Sequence, residues 1–159
     1  MVVMQNYRLN KDTMAIFSNP CLSSSTAILE WPNKVLYCTR TPLYLIEEAC
    51  ISGGSTYNGR REAVERMLRT KSKLPIPVNP TEGLFFFPNM SPYEPHCHWF
   101  SFFHIQNFFT AKDDKTKTEI IFTDSRRKII NTSYKTMAGQ ICLTGLLVAL
   151  IYKNIFWKK

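Results

Sequence analysis

Three histidines and a cysteine fall between positions 96 and 104: His96, Cys97, His98 and His104. Imidazole and thiolate are ligands of zinc, and a thiol beside an imidazole is the pair that makes a cysteine nucleophile. Their spacing argues against both. His96, Cys97 and His98 are consecutive, so on a strand Cys97 points away from its two neighbours. No second Cys/His pair stands at a finger-like distance. On an extended strand Cys97 and His104 lie on opposite faces, and no third residue orients them. The group reads as a buried thiol with satisfied or exposed histidines. The chain is therefore expected to carry no metal, no cofactor and no catalytic residue, and not to be an enzyme.

A second stretch has the chemistry to hold an anion. Gly53-Gly54-Ser55-Thr56-Tyr57-Asn58-Gly59 leads into Arg60-Arg61-Glu62-Ala63-Val64-Glu65-Arg66-Met67-Leu68-Arg69. Gly54 and Gly59 have the spacing of a Walker A loop, but Arg60 and Arg61 stand where that loop needs Lys and then Ser or Thr, which excludes nucleotide binding of that kind. A helix over the following residues puts Ala63, Val64, Met67 and Leu68 on one face. Glu62–Arg66 and Glu65–Arg69 are then i,i+4 pairs in the favourable order. That leaves Arg60, Arg61, Lys71 and Lys73 as the uncompensated cations. Two arginines at a helix N-terminus oppose the macrodipole unless an anion sits there.

The elements that must position these residues follow from composition and pattern. The chain has 159 residues, 45% hydrophobic and 20% charged, which suits a single globular unit. Its net charge of +8 favours an acidic partner such as nucleic acid or an anionic membrane. The charge is blocky. Residues 60–73 are strongly basic, residues 74–111 hold no Lys or Arg, and residues 129–159 hold no Asp or Glu. The five cysteines, Cys21, Cys38, Cys50, Cys97 and Cys142, form no CxxC, and the N-terminus has no signal-peptide core. A reduced, cytoplasmic chain is expected.

Short strands are expected over 13–17, 27–31, 35–38, 43–46, 84–87 and 99–109. Hairpins are expected around Pro32-Asn33-Lys34 and around Thr123-Asp124-Ser125-Arg126. Residues 74–80, with three prolines, read as an extended loop or edge. Ser133 caps a last helix running to about Asn154. Residues 141–152 are uncharged, too short a run for a membrane span and interrupted after it by Lys153-Asn154. They read as a core or interface helix. The fold class is α+β: short antiparallel strands forming an aromatic-rich sheet, a mid-chain charged helix and a C-terminal apolar helix.

Several of these runs together resemble one family. Cys50 through Arg60 is similar to the "C-x-x-x-G-S-x-Y-x-G-R" stretch of the competence transcription factors, the ComK family. Pro75-Ile76-Pro77-Val78-Asn79-Pro80, Leu84-Phe85-Phe86-Phe87-Pro88 and the "C-x-W-x-S-x-x-H" run within Cys97-His98-Trp99-Phe100-Ser101-Phe102-Phe103-His104-Ile105 follow in order. The hairpin from Glu119 to Ile130 and then Ser133-Tyr134 also fit. The resemblance covers roughly 13–140.

It implies a cytosolic, nucleoid-associated activator of DNA-uptake genes. Such a protein reads paired AT-rich boxes of double-stranded DNA, largely through the minor groove. Self-association is implied, as is an adaptor that delivers the protein to a Clp protease. On this reading residues 1–140 are the DNA-binding domain, and 141–159 are a divergent apolar helix packed on it, where the family has a charged, polar tail. The residues assigned to DNA are Ser55, Tyr57, Gly59, Arg60, Arg61, Lys71, Lys73, Arg126, Arg127 and Lys128. The alternative reading is a membrane-surface or interaction protein, or a non-functional truncated relative, with the apolar C-terminus as anchor or interface.

Overall fold

The computed structural model describes residues 2–19 and 25–157. Cys21, Lys158 and Lys159 lie outside the described residues. The described chain is α+β, with ten strands and three helices.

The first four strands are β1 (Val3–Met4), β2 (Thr13–Ser18), β3 (Thr26–Glu30) and β4 (Lys34–Cys38). The expected hairpin at Pro32-Asn33-Lys34 joins β3 to β4, with Asn33 at φ 57. The strand expected at 43–46 is instead part of helix α1 (Pro42–Ser52). Thr41 caps it, its hydroxyl accepting the Tyr44 N–H, and Pro42 opens it at a position that needs no N–H. The buried residues Leu45, Ile46, Ala49 and Cys50 show why helix wins. Their period is helical once Glu47-Glu48 and Ala49-Cys50 are counted with the apolar run.

Helix α2 (Tyr57–Leu68) follows after a four-residue turn. Gly53 ends α1 so close to the sheet that an added Cβ would lie 2.4 Å from the Val78 carbonyl oxygen. β5 (Ile76–Asn79) is the edge strand the prolines demand, and β6 (Leu84–Pro88) pairs with it.

The strand expected over 99–109 breaks in two. β7 (Trp99–Ser101) lies in one sheet, a 3-10 turn spans Phe102–His104, and β8 (Ile105–Thr110) begins a second sheet. Alternation breaks at that turn, where Phe102 packs against the cluster of Val64, Phe85 and Leu147 while Phe103, half-exposed, meets Phe85 edge-on. β9 (Thr118–Phe122) and β10 (Arg127–Ile130) form the second hairpin as expected. Helix α3 (Tyr134–Phe156) starts at Ser133, whose hydroxyl accepts the Thr136 N–H.

The large sheet has the order β1-β4-β3-β2-β7-β6-β5, antiparallel except for β1 against β4. The small sheet is β10-β9-β8. Alternation along the central strands divides the core. Ile16, Ile28, Phe86 and Trp99 pack in one cluster with Leu45 and Ile46 of α1 and with Tyr57. Phe87 and Phe100 face the small sheet and α3 through Ile120, Phe122 and Met137. Phe85 reaches Val64 of α2 and Leu147 of α3. The aromatic run Phe85-Phe86-Phe87 thus joins all three packing regions, each ring fully buried. Truncating any one of them costs about 3–5 kcal/mol by the usual scale for such rings.

Candidate functional site

Four of the ten residues assigned to DNA are brought together. Tyr57, Arg61, Lys71 and Lys73 line one cleft of about 320 Å³, closed on the other side by Ser91, Pro92 and Tyr93. Helix α2 supplies the first two. Its C-cap Arg69 turns left-handed (φ 54), and Lys73 does so again (φ 49), which folds the segment after α2 back along the helix.

The local electrostatics differ from the expected pairing. Glu62–Arg66 forms at 2.9 Å, but Glu65 does not meet Arg69. The left-handed cap carries Arg69 away from the helix face. Glu65 instead binds Arg61 at 3.3 Å and Lys71 at 3.7 Å. Arg61 and Lys71 are therefore partly compensated, contrary to expectation. Arg61 also donates to the Lys71 carbonyl at 3.4 Å. Lys73 has no carboxylate at ion-pair distance among the described residues. Its backbone is held from behind, since Gln140 of α3 donates through Nε2 to the carbonyls of Lys73 and Pro88, both at 2.8 Å.

Arg60 departs furthest from its assignment. Because α2 begins at Tyr57, Arg60 sits past the free N–H groups of the first turn, and its own N–H is bonded to Thr56 O. Its guanidinium turns inward and donates to the Gly53 carbonyl at 3.0 Å, while its buried Nε has no partner. It ties the end of α1 to α2. Tyr57 is also corrected: it is 6% exposed, and burial pushes its hydroxyl up to about pKa 12. It floors the cleft and cannot project from it. Ser55 and Gly59 lie at the start of α2, where an added Cβ on Gly59 would come within 3.1 Å of both the Ser55 and Thr56 hydroxyls. Thr56 is the residue that caps, its hydroxyl accepting the Gly59 N–H at 2.9 Å.

The second basic group lies on the small sheet and shares no lining residue with the cleft. Arg126 is a clamp there. It meets the Asp124 carboxylate at 2.8 Å and donates to Lys34 O at 2.8 Å and Glu30 O at 2.7 Å. Burial alone would raise the Asp124 pKa, but hydrogen bonds from Arg126 and from the Asn33 N–H outweigh it and hold the carboxyl below its ordinary value. Arg127 pairs with Glu119 at 2.7 Å. Lys128 is exposed and meets no carboxylate among the described residues.

Sequence reasoning passed over Tyr93. It is 74% exposed on a loop stiffened by Pro92 and Pro95. Pro92 and Tyr93 form a ridge between the cationic cleft and a second cleft of about 310 Å³, lined by Pro42, Leu43 and Trp99. Its only sequence signal was an aromatic between two prolines at the edge of a charge-free stretch.

His98 and His104 have protein partners, and His96 is exposed. His104 bridges Thr123 Oγ1 and Lys11 O, both at 2.6 Å. His98 Nδ1 accepts the Ser18 N–H at 3.0 Å, and the Cys97 thiol, pushed up to about 11 by burial, lies against Met90 O. Burial, aided by His96, pulls His98 down to about pKa 4. An unfolded histidine titrates near 6.5, so between these values the unfolded chain holds the extra proton. Stability is complete above about pH 6.5 and falls as acid carries the solution toward pH 4. Urea unfolding at pH 7 and pH 5 should differ by on the order of 1–2 kcal/mol, and His98→Asn should shrink that difference. An equal difference in the variant would place the acid sensitivity elsewhere.

Residues 4–155 match the family described as ComK protein. The Competence transcription factor of Bacillus subtilis (strain 168) is 26% identical over 144 residues, covering 91% of this chain and 74% of that protein. No solved structure matches the chain.

Proposed function

The chain belongs to the ComK family and is by that membership a competence transcriptional regulator; we propose that it reads AT-rich duplex DNA, largely through the minor groove, with the cationic cleft as its seat. The observation that carries this reading is the convergence of Arg61, Lys71 and Lys73 on one concave surface with an exposed aromatic at its rim. Lysines meeting phosphates position a duplex, while groups reaching the groove floor specify sequence. A narrow AT-rich minor groove concentrates negative potential that favours arginine. Arg61 is the arginine placed for that role, with Lys71 and Lys73 on the phosphates. Ser55 and Gly59 belong to the same end of α2, and Arg127 and Lys128 offer further phosphate contacts. Arg60, Tyr57 and Arg126 act through the fold.

Residues 1–140 form the DNA-binding unit on this proposal, with 141–159 as an added helix on it. Paired boxes call for self-association. The resemblance also supports a protease adaptor as regulator and a cytoplasmic, nucleoid-associated location. A transcriptional role needs no catalytic residue.

The test is titration onto AT-rich and GC-rich duplexes across a salt series. AT preference that persists at moderate salt supports the reading. Weak, equal binding that vanishes with salt would reduce it to the effect of the +8 net charge. Glu65 supplies a second check, because it draws on two of the three cleft cations. Glu65→Gln should tighten binding to any duplex by about two- to fivefold and steepen the salt dependence by up to about one charge. Unchanged affinity would mean that the cleft does not face the phosphates.

A further inference from the structure

Helix α3 is apolar on both faces. Inward it buries Met137, Leu147 and the polar pair Gln140 and Thr144, with Ile141, Val148, Ile151 and Tyr152 packed beside them. Both polar side chains are satisfied: Gln140 by the Lys73 and Pro88 carbonyls, and Thr144 by donating to Gln140 O at 2.6 Å. The outward row is Gly139, Cys142, Leu146 and Ala149, all exposed and none of them polar enough to hold water. Leu146 is 50% exposed. Beyond it Ile155, Phe156 and Trp157 stand out from the last turn, Phe156 at 77% and Trp157 at 73%. An ordinary surface helix carries polar and charged residues on its outward face. Over its most apolar stretch α3 has a mean hydropathy of 1.5, yet only 17% of that stretch is buried.

Charge chooses the occupant of this outward face. No Asp or Glu occurs from Ser125 to Trp157, whereas Lys135 and Lys153 mark the two ends of the apolar row. A second copy laid along the row would set lysine on lysine. Parallel pairing puts Lys135 on Lys135, and antiparallel pairing puts Lys135 near Lys153, with no carboxylate of this segment to receive either. An anionic bilayer receives both, because lysine stems cover apolar surface while their ammonium groups reach the headgroups. A tryptophan at the end of the helix suits that same interface. A transverse span is not compatible with the packing, since the inward face is held by Leu147, Met137 and the Gln140 hydrogen bonds. We propose that α3 is a membrane-surface helix: its outward row and Ile155–Trp157 rest in the interface of an anionic bilayer while its inward face stays on the sheet.

The test uses the full chain with vesicles of phosphatidylcholine, alone or mixed with phosphatidylglycerol, at physiological salt. Because any strongly basic protein adheres to an anionic surface, the deciding variant must keep its charge. Leu146→Gln, Phe156→Gln and Trp157→Gln together leave the net charge unchanged, and the inward contact they touch is the edge-on packing of Phe156 against Tyr152. The wild type should sediment with the mixed vesicles and the variant about tenfold less, as loss of inserted apolar area requires. Duplex binding should be equal in both, which separates this proposal from the DNA reading. If the triple variant loses its helical circular dichroism, Leu146→Gln alone is used, with brominated-lipid quenching of tryptophan emission and its loss in Trp157→Phe as the second readout. Equal sedimentation of wild type and variant would overturn the proposal, as would a wild type left in the supernatant. So would a wild-type dimer by sedimentation equilibrium that the variant cannot form, since a second copy would then cover the face.

Discussion

Replacing Arg61, Lys71 and Lys73 together by alanine should weaken duplex binding about a hundredfold near 0.1 M salt and flatten the slope of log K against log salt by about two. The slope falls by two and not three because Glu65 already neutralises about one of the three charges. Counterion release makes each phosphate-neutralising cation contribute about 0.9 to that slope, so the change counts contacts directly. None of the three side chains is buried, Lys71 being 84% and Arg61 37% exposed, so the fold should tolerate their loss. Single changes should separate the roles. Lys71→Ala and Lys73→Ala should weaken AT-rich and GC-rich duplexes alike, whereas Arg61→Ala should also erode the preference between them. Binding and slope both unchanged in the triple variant would remove the cleft from consideration.

Arg126→Ala should do the opposite: a loss of stability of about 2–3 kcal/mol with the salt slope of duplex binding preserved. The Asp124 side chain is 2% exposed and would lose its counter-charge, and the Glu30 and Lys34 carbonyls would lose their donors. Removing one partner of a buried pair costs about 3–5 kcal/mol. The loss expected here falls below that range because the backbone N–H groups of Asn33 and Arg126 still bind the carboxylate. Urea unfolding measures the first effect and salt-dependent titration the second. Lys128→Ala is the comparison, expected within about 0.5 kcal/mol of wild type. A stable Arg126→Ala protein with a shallower slope would make Arg126 a phosphate contact after all.

What was legible in the sequence were the features encoded within a few residues. The Pro32-Asn33-Lys34 and Asp124-Ser125 turns, the Ser133 cap and the edge character of the Pro77 strand all depend on local chemistry. The errors share another cause. Leu43 to Ile46 taken alone suits a strand, and the helical period shows only when Glu47 to Cys50 are read with it, on the face that covers Ile28 and Trp99. The break after Ser101 depends on a second sheet folding over the first. For the site, the cations of 60–73 were found because charge and spacing are sequence properties. Their partners were not, because the choice of Glu65 between Arg69 and Arg61 depends on one left-handed residue at the end of α2. Tyr93 was invisible for a related reason: nothing within its own loop shows that α2 lies across from it.

The Gln140 amide has a bearing on how genetics in this protein should be read. A stop codon within α3 deletes no residue of the cleft, yet one placed before position 140 strips the hydrogen bond from Lys73 and uncovers Phe85 and Phe87. Loss of promoter activation in such an allele would look like evidence for an activating tail. A stop placed just after Leu147 would keep that amide and most of the cover while deleting Ile155 to Trp157. The pair of alleles, and neither alone, separates a damaged reading head from a missing anchor.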